Sequence, residues 1–462
     1  MRILHAIHDF LPRHRAGSEL YAYHLCRELA ARHDVGVLCA ELDPSRPQGA
    51  IVRREVDGLP VFELINNWAF ERFEDSYRSP LLGERVEGVL HEFRPDVLHV
   101  HNLLNLSLEL PARARRRGIP VLATLHDYTL VCPSGGQRVH VAEQHSCLRI
   151  DPERCSRCFA QSPFAGTMAL GRLAGGARLP GPLLSIARAL RRRVPRAVAA
   201  LGPRPPRAAE PTPEQIRQRL EAALRAADAI DLFVAPSQAL ADEYRRLGIP
   251  AAKLRVSDYG FPPLAAAKPR ALDPRAPLRI GFVGTLVWHK GVHVLLEAAA
   301  QLPREGFEIL VFGSVETFPD YVNSLRRQAV GLPVRFLGGF ESADAADVYG
   351  RIDVLVVPSL WPENSPLVIH EAFQAGVPVV GARIGGIPEL LRGGEAGLLV
   401  DAHSSADLAR SLATLVASRE RVAELAAALP PVKPIAQDAS EWEELYATVR
   451  RQRAQPALVR RA

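Results

Sequence analysis

Two glutamates eight positions apart carry the most chemical information in the chain. Glu363 and Glu371 lie in the stretch PSLWPENSPLVIHEAFQAGVPVV, residues 358–380. Val354–Val357, just before it, reads as a short buried strand. Ser365 and Pro366 make a good N-cap and first-turn pair, which predicts a helix from Pro366 to about Gln374. The amides of such a first turn are free to meet an anion, and the helix dipole favours one. Glu363 falls in the loop before the helix and Glu371 in its second turn. One carboxylate can then face a cleft while the other binds a neutral polyol such as ribose. The spacing alone also fits a capping glutamate and a surface one. Gly385-Gly386 forms a second flexible loop expected at the same edge.

Other candidates sit where apolar runs end. His126-Asp127 follows Val121–Leu125, and His101-Asn102 follows Val97–Val100. A lone histidine more often packs or caps, but placement directly after a strand favours a functional role. Four of the six cysteines, Cys132, Cys147, Cys155 and Cys158, fall in one loop-like stretch with spacing C-x14-C-x7-C-x2-C. Thiolates so spaced could form a tetrahedral structural zinc site. With a single CxxC, four ordinary thiols or a redox pair at Cys155 and Cys158 fit as well.

These residues need elements to hold them. Ile3–Ile7 reads as a buried strand, followed by a polar loop to Gly17 and an amphipathic helix, Ser18 to Ala31, with Ser18 as N-cap. Val35–Cys39 and Val61–Leu64 are further strands, and helical patterns run over Leu81–Phe93 and Leu106–Arg117. Such alternation predicts a doubly wound parallel sheet. Phe159 to Ala229 is rich in Ala, Arg, Pro and Gly and reads as a variable insertion with helical pieces and some disorder. Alternation resumes at Leu232–Ala235. After a Pro-rich link, Phe261–Pro277, a second α/β unit has strands at Leu278–Val283, Glu308–Phe312, Val334–Phe336, Val354–Val357 and Val377–Val380. Two such sheets suggest a cleft between domains, with ligands beyond the carboxyl ends of the strands. The tail, Ala436–Arg453, is amphipathic around Trp442, Leu445 and Val449 and is expected to return to the first domain.

Composition bounds the function class. The chain has 462 residues, 47% hydrophobic and 23% charged, which excludes a disordered chain, a collagen-like fibre or a small disulfide scaffold. The net charge of +6 is diffuse, and only four of the 57 cations are lysine, so single arginines say little. No nucleic-acid motif or basic aromatic surface is evident. No uninterrupted apolar run spans a membrane, and MRILHAIHDF is too short a run for a signal peptide. A cytoplasmic protein with reduced thiols is expected. The basic stretches 113–118 and 187–198 read either as solvated faces or as peripheral contacts with the inner face of the membrane.

The pattern E-x7-E in its context resembles the signature of the family 4 retaining glycosyltransferases. GFVGTLVWHKG (281–291), DVLHVHN (96–102), TLHDY (124–128) and HRAGSELYAYHLCREL (14–29) resemble further motifs of that family in order and spacing. The match covers most of the chain except roughly 135–230. The resemblance implies the GT-B fold, two Rossmann-like domains facing across a cleft. The expected division is an acceptor-side domain over 1–262 with an insertion near 135–230, a nucleotide-sugar domain over 277–434, and a returning helix over 435–455. It also implies transfer of a sugar from a nucleotide donor, UDP- or GDP-linked, to a glycan or lipid-linked acceptor, with retention and no required metal, in polysaccharide or glycolipid synthesis. A non-transferring module and a sugar-nucleotide epimerase are the alternatives.

By the same resemblance Lys290 lies against the donor diphosphate, where a compact ammonium suits a developing leaving-group charge. Glu363 binds donor-sugar hydroxyls and Glu371 the ribose. Gly17, Gly284, Thr285, His289, Asn364 and Ser365 line the donor site, and the amides of Leu367 and Val368 add phosphate contacts. His126 stands near the anomeric carbon, with His101, Asn102 and Asp127 on the acceptor side. One departure stands out. The family often has Arg after the strand glycine, and here Thr285 follows Gly284, so His289 or Arg383 is the expected substitute cation.

Overall fold

The fold is that of a computed structural model, which describes residues 1–140, 143–173, 210–264, 273 and 275–454. The strands in chain order are β1 (Arg2–Ala6), β2 (Asp34–Glu41), β3 (Ile51–Val56), β4 (Leu59–Ile65), β5 (Val97–Val100), β6 (Val121–Thr124), β7 (Val139–His140), β8 (His145–Ser146), β9 (Leu232–Ala235), β10 (Leu254–Val256), β11 (Leu278–Val283), β12 (Phe307–Phe312), β13 (Val334–Gly338), β14 (Val354–Val357), β15 (Val379–Ala382) and β16 (Gly397–Val400).

They form an eight-stranded sheet, β10-β9-β6-β5-β1-β2-β4-β3, a six-stranded sheet, β13-β12-β11-β14-β15-β16, and the β7–β8 hairpin. Both large sheets are parallel except for β3, which runs antiparallel to β4. Their central strands are nearly continuous apolar runs because helices cover both faces. In each sheet the chain winds out one way from the first strand and then returns to its other side. The reversals fall between β1 and β5 and between β11 and β14. These are the two places where loops part to leave a crevice.

Helix Ile435–Ala454 leaves the second domain and packs on the first. Trp442, Leu445, Tyr446 and Val449 are buried with Tyr21, Leu25 and Leu29, and the Trp442 indole donates to the Tyr21 hydroxyl at 3.0 Å. Two chain crossings between the domains lie side by side. The Phe261 amide donates to the Lys433 carbonyl at 2.9 Å, and that of Ile435 to the Phe261 carbonyl at 2.8 Å.

Several local expectations are corrected. The helix after β1 starts at Gly17, and Ser18 does not cap it: its hydroxyl donates to Glu19. The fourth helix is shorter, Leu110–Arg116. β3, β10 and the hairpin lack recognisable apolar runs, and β16 is missed although its sequence, GLLV, is apolar. The variable insertion does hold the helical pieces expected of it, Pro152–Ala160, Pro163–Leu173 and Pro213–Asp228, the last opened by a Thr212/Gln215 capping box. The basic stretch 187–198 lies outside the described residues.

Candidate functional site

β11 and β14 are hydrogen-bonded neighbours, so the loops leaving their carboxyl ends meet at the reversal point. The first carries Lys290 at the end of the turn Trp288–Lys290. The second carries Glu363. Lys290 Nζ donates to Glu363 Oε1 at 2.6 Å, and Ser359 Oγ donates to the same oxygen at 2.7 Å. Glu363 is 3% exposed, whereas the Lys290 side chain keeps 28% of its surface, so the lysine stays in part open to solvent and the carboxylate does not. The Nζ also sits 5.4 Å from the centre of the Trp361 ring. The Leu360 amide donates to the His289 carbonyl, which ties the two loops together.

Gly385 and Gly386 prove to be a clamp instead of a flexible loop. The Gly386 amide donates to the Glu363 carbonyl at 2.7 Å. A Cβ on Gly385 would stand 2.1 Å from that carbonyl oxygen, and one on Gly386 1.9 Å from the Asn364 oxygen. No side chain fits there, so the loop fixes the backbone of Glu363 from behind.

The following helix is Leu367–Gln374, with Pro366 at its N-cap and no side-chain cap. Ser365, expected to cap it, instead donates its hydroxyl to Asp258 Oδ1 at 2.7 Å. The amides of Leu367 and Val368 stand in the uncapped first turn, where no intrahelical carbonyl can serve them. Glu371 lines a cleft of about 340 Å³ between the domains, together with Leu20, Tyr21, Leu264, Leu367 and Gln374. Burial pushes its carboxyl above the usual range, against the pull of Tyr349, whose hydroxyl donates to Glu371 Oε2 at 2.7 Å. Gly17 approaches from the first domain: a Cβ there would lie 3.1 Å from Leu367 Cδ1.

Other residues around the loops take unexpected places. Gly284, at φ +147°, allows the turn out of β11, and Thr285 beside it is exposed. His289 does not supply the second cation. Burial, helped by neighbouring Lys290, lowers its pKa to about 4, so it is neutral at physiological pH. Arg383 is exposed and lies 3.8 Å from Asp401.

In the first domain the histidines form an internal chain. His126 Nδ1 lies 2.8 Å from the Tyr259 hydroxyl and its Nε2 3.0 Å from His101 Nδ1. His101 Nε2 in turn lies 2.9 Å from His5 Nδ1. Both ring nitrogens of His126 are therefore spent inside the domain. Its expected station at the anomeric carbon is corrected: the ring braces the cleft floor, and its carbonyl accepts from Asn364 Nδ2 of the second domain. Asn364 Nδ2 also lies 3.2 Å from the Tyr259 hydroxyl, so this side chain bridges the domains. His101 and Asn102 are buried, and Asn102 donates to Asp127 at 3.1 Å. Asp127 also accepts from the Thr129 amide at 2.8 Å. Asp127 itself is half-buried.

Reading motifs missed Asp258, Tyr259 and Tyr349. Asp258 accepts from Ser365 and pairs with His370 Nε2 at 2.7 Å. Burial raises its carboxyl, but the His370 and Ser365 contacts outweigh that and hold it below its usual range. Asp258-Tyr259 lies one residue beyond the end of β10, as His126 lies one beyond that of β6, so the same rule would have found it had that strand been recognised.

The cysteines do come together. Cys132, Cys147, Cys155 and Cys158 line one small cavity beside the hairpin. The basic stretch 113–118 keeps Arg115, Arg116 and Arg117 exposed, with partners for three of its arginines. Arg113 pairs with Glu87 and Glu109, Arg117 with Glu87, and Arg115 donates to the Asp228 carbonyl. No described helix is long and apolar enough to cross a membrane.

Comparison with known proteins agrees with this layout. Residues 15–172 match the model of Glycosyltransferase Family 4, and residues 277–418 that of Glycosyl transferases group 1. The chain is 38% identical over 175 residues to D-inositol 3-phosphate glycosyltransferase of Rhodococcus opacus, covering 36% of this chain and 39% of that one. It is 38% identical over 145 residues to the protein of the same name from Corynebacterium efficiens, covering 30% and 34%. The chain thus spans less than two fifths of these relatives' length. Among solved structures, sucrose-phosphate synthase of Thermosynechococcus elongatus superposes with TM-score 0.63 at 18% identity, covering 98% of both chains. Anabaena HepE in complex with UDP and glucose does so with TM-score 0.56 at 20% identity, again covering 98% of both. The architecture is the GT-B fold, and the chain belongs to the family 4, or group 1, glycosyltransferases.

Proposed function

We propose that the protein is a retaining glycosyltransferase that moves a sugar from a nucleoside diphosphate to a hydroxyl acceptor. The observation that carries this is the pairing of Lys290 with Glu363 directly before an uncapped helix N-terminus. A diphosphate laid on the Leu367 and Val368 amides would draw the exposed ammonium to itself. It would thereby free Glu363 to accept from donor-sugar hydroxyls. Glu371, held by Tyr349, would accept from the ribose. Lys290 and the helix dipole then stabilise the charge that builds on the leaving phosphate. The acceptor hydroxyl enters on the leaving-group face, its oxygen bonds to the anomeric carbon as the phosphate oxygen departs, and its proton passes to that phosphate. No metal is needed in this scheme.

UDP is the favoured base, since HepE was solved with UDP. The relatives named for inositol 3-phosphate favour a polyol or glycan acceptor, with lipid-linked glycans in the same class. The reading places the reaction in the cytoplasm, in glycan or glycolipid assembly. The exposed Thr285 and the neutral His289 leave Lys290 as the cation of its loop, which favours binding without turnover as the second reading.

Thermal melting with UDP, GDP, ADP, CMP and dTDP and their sugar conjugates tests both. A ligand at 100 times its dissociation constant adds about 2.7 kcal/mol. A selective rise with one nucleotide, followed by acceptor-dependent release of that diphosphate, supports transfer. A rise without release favours the binding module, and no rise with any of them overturns the donor site.

A further inference from the structure

We propose that Cys132, Cys147, Cys155 and Cys158 bind one zinc ion as a structural cross-link that holds the hairpin insertion against the donor loop.

The four thiols come from three separate pieces of chain. Cys132 ends the turn after His126, its amide donating to the Tyr128 carbonyl at 2.8 Å. Cys147 directly follows β8, its amide donating to the Arg138 carbonyl at 2.7 Å. Cys155 and Cys158 lie three apart on helix Pro152–Ala160, which places them on one face. Asp151 caps that helix by accepting from the Glu153 and Arg154 amides, so the position of the pair is set independently of any metal. All four thiols line the same small cavity, and none is in a disulfide. No three of the four sulfurs lie mutually within 4.8 Å, so a bound ion would draw them inward.

The surroundings suit an anionic centre. A zinc ion with four thiolates carries a net charge of minus two, each thiol having released its proton to solvent. Arg138 and Arg154 line the cavity. Arg138 is 4% exposed, yet its Nη2 is buried without a hydrogen-bond partner, whereas Arg154 Nε lies 3.4 Å from Glu143 Oε2. A thiolate sulfur is an acceptor that the Arg138 N–H can use.

The cluster bears on the site because the insertion touches the donor loop. Ser146 Oγ, next to Cys147, donates to the Leu360 carbonyl at 2.6 Å, three residues before Glu363. Tyr128 Oη donates to the Pro362 carbonyl at 3.4 Å. A metal that fixes the hairpin thus supports the backbone on which Glu363 sits. The three close histidines His5, His99 and His101 are a poorer metal site, since every nitrogen but His5 Nε2 is used by one another, by His126, by Tyr446 or by Thr124.

The test is metal analysis of the full chain, purified under reducing conditions without chelator and offered a small excess of zinc before gel filtration. About one zinc per chain is expected to stay bound. In the Cys155→Ser/Cys158→Ser variant it should fall at least fivefold, while Cys26→Ser and Cys39→Ser, in the distant core, should keep it. Should the double variant fail to fold, cobalt loading of the wild-type chain decides. Intense thiolate-to-cobalt charge-transfer bands with a tetrahedral ligand-field spectrum support the site. Less than about 0.2 zinc per chain, or a cobalt spectrum without thiolate bands, overturns it. None of these readouts depends on sugar transfer.

Discussion

Lys290 Nζ stands 2.6 Å from Glu363 Oε1, and the two partners differ sharply in their access to water. The asymmetry makes the two deletions unequal. In Glu363→Ala the ammonium, 28% exposed, turns to solvent. In Lys290→Ala a carboxylate 3% exposed keeps only Ser359 from its former pair of donors. Lys290→Ala should therefore lose about 1–3 kcal/mol of stability, the cost of a buried group left short of a partner. Glu363→Ala should lose less. Both should abolish transfer while far-UV dichroism stays native. Normal turnover in either would remove the pair from the mechanism.

The Gly385-Gly386 clamp makes a second expectation. In Gly386→Ala the new methyl would meet the Asn364 carbonyl, so the donor loop must shift. Neither the sheet nor its buried core is involved, so the variant should fold. Its affinity for the nucleoside diphosphate should fall at least about tenfold, equivalent to 1.4 kcal/mol. Calorimetric titration checks this, and wild-type affinity would show that the loop is free to move after all.

How far the sequence could carry these arguments depends on the kind of residue. Strands such as Leu278–Val283 and Val354–Val357 were legible because a strand covered on both faces must be apolar throughout. β3, with the sequence IVRREV and one edge open, carries a polar alternation too short to stand out. Glu363, Lys290 and Glu371 were legible as a motif, and the structure brings the first two into contact. His126 and His101 were misplaced for a physical reason. The end of a strand puts a side chain near the cleft but does not say whether its nitrogens face out or are spent on a neighbour, and here they bond to each other. Ser365 was misassigned in the same way, because Asp258, distant in sequence, competes for its hydroxyl.

The buried histidines should make the protein acid-labile well above the pH at which carboxylates protonate. Burial lowers His5 and His126 to about 3 and His289 to about 4, with His99 and His101 also well below their ordinary value. Unfolded, each titrates near 6.5. As pH falls below 6.5 the unfolded chain takes up protons that the folded chain refuses, so stability drops. It is intact above that value. Each fully refusing histidine removes up to about 1.4 kcal/mol per pH unit. Melting temperatures should be level between pH 8 and 7 and fall steeply from about 6.5 to 5. His5→Gln should fall less steeply. A flat profile down to pH 5 would mean that the imidazoles are charged in the folded protein.

Tyr349 offers the sharpest test of Glu371. The tyrosine is fully buried, and its hydroxyl donates to Glu371 Oε2 at 2.7 Å. Burial already raises that carboxyl, and the Tyr349 contact is the larger of the two influences that lower it. In Tyr349→Phe the carboxylate loses a donor that both aims and stabilises it. Nucleotide affinity should fall by a factor of about five, near 1 kcal/mol. The loss should also depend on pH. With its pKa pushed higher, Glu371 spends more time protonated in the variant, and a protonated carboxyl is a poorer acceptor for a ribose hydroxyl. The ratio of variant to wild-type affinity should therefore rise as pH increases, which cancels the titration of the nucleotide itself. Titration calorimetry at several pH values measures that ratio. A ratio near one throughout would mean that Glu371 does not bind the ribose, and a reduced but level ratio that Tyr349 only aims the carboxylate.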